Sequence, residues 1–138
     1  MFSLRNKSAL VTGAGSGIGA AIAEKFASAG ATIIVADRDR NSGEATAKKI
    51  GSSARFVELD VSNEAACNQL AAEIGRLDIL VNNAGIGHVG TILQTNGADL
   101  DRLYNVNVKG VFNLSKAFLP QMLERKSGVI VNLASIGG

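Results

Sequence analysis

Apolar residues fall into short unbroken runs that alternate with stretches where they recur every three or four positions. Ser8-Ala9-Leu10-Val11-Thr12 is one such run and stops at Gly13. Ile18, Ile22, Phe26 and Ala29 follow at helical spacing, and Gly30 ends that helix. Thr32 to Ala36 (TIIVA) lacks polar alternation, the pattern of a strand buried on both faces in a parallel sheet. Asn41 to Ile50 predicts a helix with a polar outer side, and Arg55 to Leu59 (RFVEL) a third strand. Ser62 is expected to cap a further helix that carries Ala66, Leu70 and Ile74 on one face. Asp78 to Asn82 (DILVN) predicts a fourth strand. After a loop, a single long helix is predicted from Ala98 to Lys126, and Gly128 to Ala134 (GVIVNLA) reads as a fifth strand.

Strands that alternate with helices form parallel neighbours, because a parallel pair needs a crossover connection. The expected fold class is therefore α/β, a doubly wound parallel sheet of the Rossmann type. Right-handed crossovers and a reversal after the third strand predict the order 3-2-1-4-5. No linker composition interrupts the chain, so residues 1–138 are expected to form one domain, truncated on its C-terminal side, with later strands and helices missing. The long helix carries two apolar stripes. Leu103, Val106, Gly110, Leu114 and Ala117 are expected to face the sheet. Val108, Val111, Phe112, Ser115, Leu119 and Met122 lie nearly opposite, and a helix covered on one side only should be polar there.

The junction between the first strand and first helix is Thr12-Gly13-Ala14-Gly15-Ser16-Gly17-Ile18-Gly19. Gly13 permits a tight turn, Gly17 lets the backbone approach a pyrophosphate, and Gly19 allows close helix packing. The helix start offers free N–H groups and a positive dipole end to phosphates. A glycine-rich turn alone is a weak signal, but its place between a strand and a helix strengthens it. Asp37 strengthens it further. It ends the second strand about 20 residues after the glycines, where an acid binds the adenosine ribose hydroxyls of a dinucleotide. That acid repels a 2′-phosphate, and the turn holds Ser16 rather than a basic residue. Arg38 partly offsets this. The balance favours NAD over NADP.

Composition removes other classes. A net charge of +2 with scattered basic residues suggests neither a nucleic-acid partner nor a membrane surface. No apolar run approaches the roughly 20 residues that span a bilayer. The single cysteine, Cys67, excludes an intrachain disulfide, and Met1 to Lys7 lacks the apolar core of a leader, so a cytoplasmic location is expected. Cys67 shares a helix face with Leu70, Ala71 and Ile74 and is read as a buried small hydrophobe. His88, the single histidine, has no second ligand at metal spacing and is read as a solvated loop residue, so no metal is expected.

Taken together these motifs resemble the short-chain dehydrogenases/reductases, and the match runs over essentially the whole chain. Thr12-Gly13-x-x-x-Gly17-Ile18-Gly19 is similar to that family's cofactor motif, and Asp60-Val61 to its adenine-contacting pair. Asn82-Asn83-Ala84-Gly85 matches its most distinctive tetrapeptide. The resemblance implies that Asn82, Ala84 and Gly85 lie at the cofactor. It further implies that Asn107, in Asn105-Val106-Asn107-Val108-Lys109-Gly110, is the structural and proton-relay asparagine, and Ser135 the catalytic serine. The implied activity is hydride transfer between a nicotinamide and a secondary alcohol or ketone. The implied partner is a second copy of the full-length protein against the Val108/Phe112/Leu119 helix face, the alternative being that the missing C-terminal segment covers it.

One departure is large. The family's proton donor is a tyrosine with a lysine four positions later, expected on a helix beyond Ser135. The single tyrosine here, Tyr104, has Val108 at that spacing and is read as a surface or packing residue. Without the pair this chain is expected to bind nucleotide but not to turn over, because hydride transfer to a carbonyl carbon requires proton transfer at oxygen. The alternative is a non-catalytic dinucleotide-binding or assembly module. A nucleotide-sugar or methyl-donor enzyme with a similar glycine turn is opposed by Asn82-Asn83-Ala84-Gly85 together with Ser135.

Overall fold

The structure is a computed structural model and describes residues 2–136; Met1, Gly137 and Gly138, the ends of the expected domain, lie outside the described residues. Five strands, β1 (Ser8–Thr12), β2 (Thr32–Asp37), β3 (Ala54–Glu58), β4 (Ile79–Asn82) and β5 (Val129–Asn132), form one parallel sheet in the order β3-β2-β1-β4-β5. The helices α1 (Gly17–Ser28), α2 (Arg40–Ile50), α3 (Glu64–Ile74), α4 (Gly97–Tyr104) and α5 (Gly110–Arg125) connect them. This is the expected doubly wound Rossmann architecture, with its strand order.

Successive side chains of a strand point to opposite faces, so each apolar strand feeds two cores. Leu10, Ile34 and Leu80 pack with Leu70 of α3 and with Leu114, Phe118 and Met122 of α5. Ala9, Val11, Ile33, Val35 and Val81 pack on the other face with Ala23 of α1 and Ala47 of α2. That second layer is close because its helices bring small residues: a Cβ on Gly43 would run into the Phe56 ring.

Four expectations are corrected. First, the predicted helical stretch from Ala98 to Lys126 runs unbroken over Gly97–Arg125 but is not one regular α-helix: a π-helical turn, Asn105–Lys109, lies between α4 and α5. The wider turn changes the angular phase of everything after it. Met122, expected on the outer stripe, is buried because it follows Gly110, Leu114 and Phe118 at four-residue spacing on one face of α5; Phe118, on neither predicted stripe, is fully buried. Gly110 at the start of α5 packs so tightly on Val61 that a Cβ would lie 2.6 Å from Cγ2. Second, Asn63 rather than Ser62 caps α3, its side chain accepting from the Ala66 N–H at 3.0 Å. Ser62 is diverted: its N–H and hydroxyl both donate to Asp60 Oδ1. Third, β3 sits one residue earlier than predicted and β5 ends at Asn132, because its partner β4 offers only Ile79–Asn82 for pairing. Fourth, His88 is half-buried rather than solvated, with Nε2 2.9 Å from Thr95 Oγ1.

The end of the sheet away from the glycine turn is held by a buried charge. Asp78 is 6% exposed and its Oδ2 accepts from the Ser8 N–H at 2.9 Å, while Arg76 and Arg125 lie 3.3 and 3.5 Å from Oδ1. Burial alone would raise its pKa; the Ser8 N–H, Arg76 and Lys7 outweigh burial and hold the carboxyl below its ordinary value. A folded pKa below the unfolded one means stability that is present above the unfolded value of about 3.9 and lost as pH falls through the folded value. Asp78→Asn is expected to lower unfolding free energy at neutral pH by about 1–3 kcal/mol and to flatten the loss of stability below about pH 4. Urea melts of parent and variant across pH 2–7 check both parts, and parallel pH profiles would remove the assignment.

Candidate functional site

The carboxyl ends of the strands carry the loops that build a cleft, as in any open α/β sheet. The chain leaves β1 through Gly13, at φ +62°, and enters α1 through Gly17, at φ +55°; both backbone conformations favour glycine. The two glycines face different surroundings. A Cβ on Gly13 would lie 3.0 Å from Ala84 Cα, whereas a Cβ on Gly17 would meet nothing within 4 Å. Gly17 thus turns toward open space, and Gly13 toward the loop after β4.

The start of α1 differs chemically from those of α2, α3 and α4. Asp39, Asn63 and Asn96 cap these three helices with their side chains. Ser16, at the corresponding position of α1, makes no side-chain cap hydrogen bond, and the first turn of α1 holds no acid. The first-turn N–H groups have no partner within an α-helix. The positive end of the α1 dipole at the cleft is therefore met neither by a side-chain cap nor by an acid of its own first turn.

The opposite wall is fastened to β1 by Thr12. Its Oγ1 donates to the Val81 carbonyl at 3.3 Å and accepts from the N–H groups of Asn83 at 3.0 Å and Ala84 at 2.9 Å. Asn83 returns the contact, its Nδ2 donating to the carbonyls of Thr12 at 3.0 Å and Gly13 at 3.3 Å. Asn83 was not singled out as a site residue from sequence, although it stands inside the Asn82-Asn83-Ala84-Gly85 motif. Its neighbour Asn82 is buried, with Nδ2 donating to Asn132 Oδ1 at 2.9 Å and Ser115 Oγ at 3.3 Å. Asn82 thus ties β4 to β5 and α5.

Between these walls lies a cleft of about 400 Å³. Gly13, Ser16, Gly17, Ile18, Asp37, Arg38, Asp60, Val61, Ala84 and Gly85 line it, as do Leu59, Asn83, Ile86 and Val106, which sequence reasoning did not select. Thr12, Gly19 and Asn82 stand behind the lining. Gly19 fits where a Cβ would overlap the Gly13 carbonyl oxygen and Asn83 Nδ2. Ile18 is 67% exposed at the mouth, an apolar surface on which a flat or apolar group can rest. Asp37 presents its carboxylate with Oδ2 accepting from the Gly15 N–H and Oδ1 from the Asp39 N–H, each at 2.9 Å. Arg38, beside it, is exposed. Asp60 engages Ser62, and the Val61 carbonyl accepts from Asn113 Nδ2 at 2.9 Å.

The remaining candidates occupy the rim. Asn107 sits in the π-helical turn and grips one backbone residue twice: Oδ1 accepts from the Ile86 N–H at 2.8 Å and Nδ2 donates to the Ile86 carbonyl at 2.9 Å. It fixes the loop after β4 against that turn. Ser135 is exposed and lies just past the carboxyl end of β5, on the same side of the sheet as the cleft. Tyr104 ends α4 and is half-exposed. Cys67 is buried, and burial, with Asp60 and Glu64 adding to it, pushes its thiol up to about 11, so it is protonated at neutral pH and is no nucleophile.

A family model described as short chain dehydrogenase matches residues 7–138. Meso-2,3-butanediol dehydrogenase of Serratia marcescens is 38% identical over 138 residues, covering 96% of this chain and 55% of that protein. Among solved structures, 3-ketoacyl-(acyl-carrier-protein) reductase from Brucella melitensis complexed with NADH superposes with a TM-score of 0.91 at 39% identity, covering 98% of this chain and 59% of that one. A metagenomic short-chain oxidoreductase in complex with NADP gives a TM-score of 0.91 at 38% identity, covering 96% of this chain and 63% of that one. The chain spans just over half the length of the curated relatives it matches.

Proposed function

The chain belongs to the short-chain dehydrogenase family, a family of oxidoreductases, and we propose that its cleft binds the adenosine and pyrophosphate portion of a nicotinamide dinucleotide, with NAD preferred over NADP. The observation that carries the reading is the convergence of an uncapped helix start and an acid on one cleft: the first turn of α1 and the Asp37 carboxylate line it together. Gly17 leaves room above the turn for a phosphate to approach the backbone N–H groups. Asp37 accepts from the ribose hydroxyls and repels a 2′-phosphate. Asp60 and Val61 flank the adenine, Ile18 covers the apolar side, and Ala84 and Gly85 close the wall opposite α1.

Bound there, the dinucleotide supplies the hydride acceptor or donor, and the substrate class is a secondary alcohol or ketone. Ser135 hydrogen-bonds the substrate oxygen. Asn107 holds the loop after β4 and the π-helical turn in register beside it. No Tyr-x-x-x-Lys occurs in the 138 residues, so this chain supplies nucleotide binding and leaves the acid–base step to residues it does not contain. Residues 1–138 act as one nucleotide-binding unit in the cytoplasm; among the described residues no helix is long and apolar enough to cross a membrane.

Asp37→Ala tests the cofactor assignment. It is expected to weaken NAD binding roughly tenfold, the equivalent of about 1.4 kcal/mol, and to improve NADP binding, because it removes one negative charge and leaves Arg38. Calorimetric titration of parent and variant with both dinucleotides checks this. A parent chain that binds neither dinucleotide would sink the reading.

The outer face of α5 and of the π-helical turn before it supports a second proposal. Val108, Phe112 and Leu119 are 50%, 55% and 40% exposed, an apolar strip where a solvated helix face is polar. A second copy of the full-length protein covers it. Multi-angle light scattering of that protein is expected to give more than the monomer mass, and Phe112→Glu to lower it; a monomer at micromolar concentration removes the proposal.

A further inference from the structure

We propose that Gly15 and Thr46 are positioning residues for ribose selection: together they hold the Asp37 carboxylate in the orientation that prefers free ribose hydroxyls to a 2′-phosphate. The inference rests on the dinucleotide reading above and adds to it a specificity device shared between the glycine turn and α2.

An aspartate at a strand end can rotate about its side-chain bonds, and its selectivity depends on where its two oxygens are held. Here each oxygen accepts one backbone N–H, Oδ2 from Gly15 and Oδ1 from Asp39, both at 2.9 Å. A carboxylate has about four acceptor positions, so each oxygen keeps one for a hydroxyl of a vicinal diol. The Gly15 peptide is fixed from its other end as well. Its carbonyl accepts from Thr46 Oγ1 at 3.3 Å, and Thr46 is buried on the inner side of α2.

Room at Gly15 is the second element. A Cβ there would collide with Ser42 Oγ and lie 2.8 Å from Asp37 Oδ2. Ser42 and Thr46 are one helical turn apart, so the same face of α2 meets Gly15 at two positions. Unlike Gly13 and Gly17, Gly15 does not have positive φ. Its requirement is space beside the carboxylate, not an unusual backbone conformation. An added methyl therefore pushes Asp37 out of its orientation, and Arg38 on the same cleft is then free to attract a 2′-phosphate.

The test compares 5′-AMP and 2′,5′-ADP binding to the 138-residue chain, followed by ligand-observed NMR and calorimetry. The parent is expected to prefer 5′-AMP. Gly15→Ala should weaken 5′-AMP at least about fivefold and bring the two ligands to within about twofold of each other, the size of one charge-assisted hydrogen bond lost. Thr46→Val keeps the side-chain shape and removes the hydroxyl, so it should narrow the preference in the same direction by a smaller factor. If Gly15→Ala does not fold, Thr46→Val alone decides. A preference unchanged in the variants while 5′-AMP still binds overturns the positioning role and leaves the dinucleotide reading intact. Equal weakening of both ligands also overturns it, since a merely structural role does that. A parent that binds neither ligand overturns the dinucleotide reading, and this inference with it.

Discussion

Gly19→Ala is expected to reduce NAD binding by roughly a hundredfold, about 2.7 kcal/mol, and to lower unfolding free energy by about 2–3 kcal/mol, as overpacking a filled site does. The Cβ would overlap the Gly13 carbonyl oxygen and Asn83 Nδ2, two groups that belong to opposite walls of the cleft. Relief requires α1 to move away from the glycine turn or the Asn83 amide to leave the Thr12 and Gly13 carbonyls. Either movement shifts the first-turn N–H groups relative to the cleft. Gly17→Ala provides the contrast. Its added methyl meets no protein atom but adopts a left-handed conformation, at a cost of about 1–2 kcal/mol. It also stands where a phosphate approaches, so it should weaken binding strongly with the smaller loss of stability. Chemical denaturation without ligand and calorimetry with NAD separate the two effects. A Gly19→Ala chain as stable as the parent would show that the walls are not packed against each other through this residue.

The distinction between Gly17 and Gly19 was legible in the sequence because the turn has local rules: a strand, a glycine turn and a helix start occupy eight consecutive residues. Asp37 was legible for a related reason, since the end of an apolar run marks where a strand delivers its last side chain. What acts across the sheet was not. Asn83 works on Thr12 and Gly13, some 70 residues away, and nothing local ranks it above Asn82 beside it. The structure separates them by the strand's alternation: Asn82 turns into the β5 and α5 side, Asn83 toward the glycine turn. The π-helical turn was invisible because it has no compositional mark. Where it occurs, Gly110 is packed on Val61 and Asn107 on Ile86, contacts between distant segments that periodicity cannot contain. Ser62 and Asn63 are both suitable caps, and the choice falls to Asn63 because Asp60 has taken Ser62.

Thr12→Val is expected to cost about 2–4 kcal/mol of stability although it changes almost no volume. Thr12 is 1% exposed, and its hydroxyl serves three backbone groups at once. Valine fills the same space without accepting or donating, so the Asn83 and Ala84 N–H groups lose their acceptor and the Val81 carbonyl loses one donor. Each N–H left unpaired away from water costs about 1–3 kcal/mol, more than the hydrogen bond contributed in forming. The Asn83-Ala84-Gly85 wall would then exchange its amide hydrogens faster than in the parent, and nucleotide affinity should fall with it because that wall lines the cleft. Thr12→Ser keeps the hydroxyl and gives up one methyl, so it should retain the slow exchange and most of the affinity while losing about 1 kcal/mol of packing. Hydrogen exchange resolved to Asn83 and Ala84, with denaturant melts of both variants, reads the result. If the valine variant protects those two amides as well as the serine variant does, the wall is held by the Asn83 side chain alone, and Thr12 is a filler of the core rather than the fastening between the two sides of the cleft.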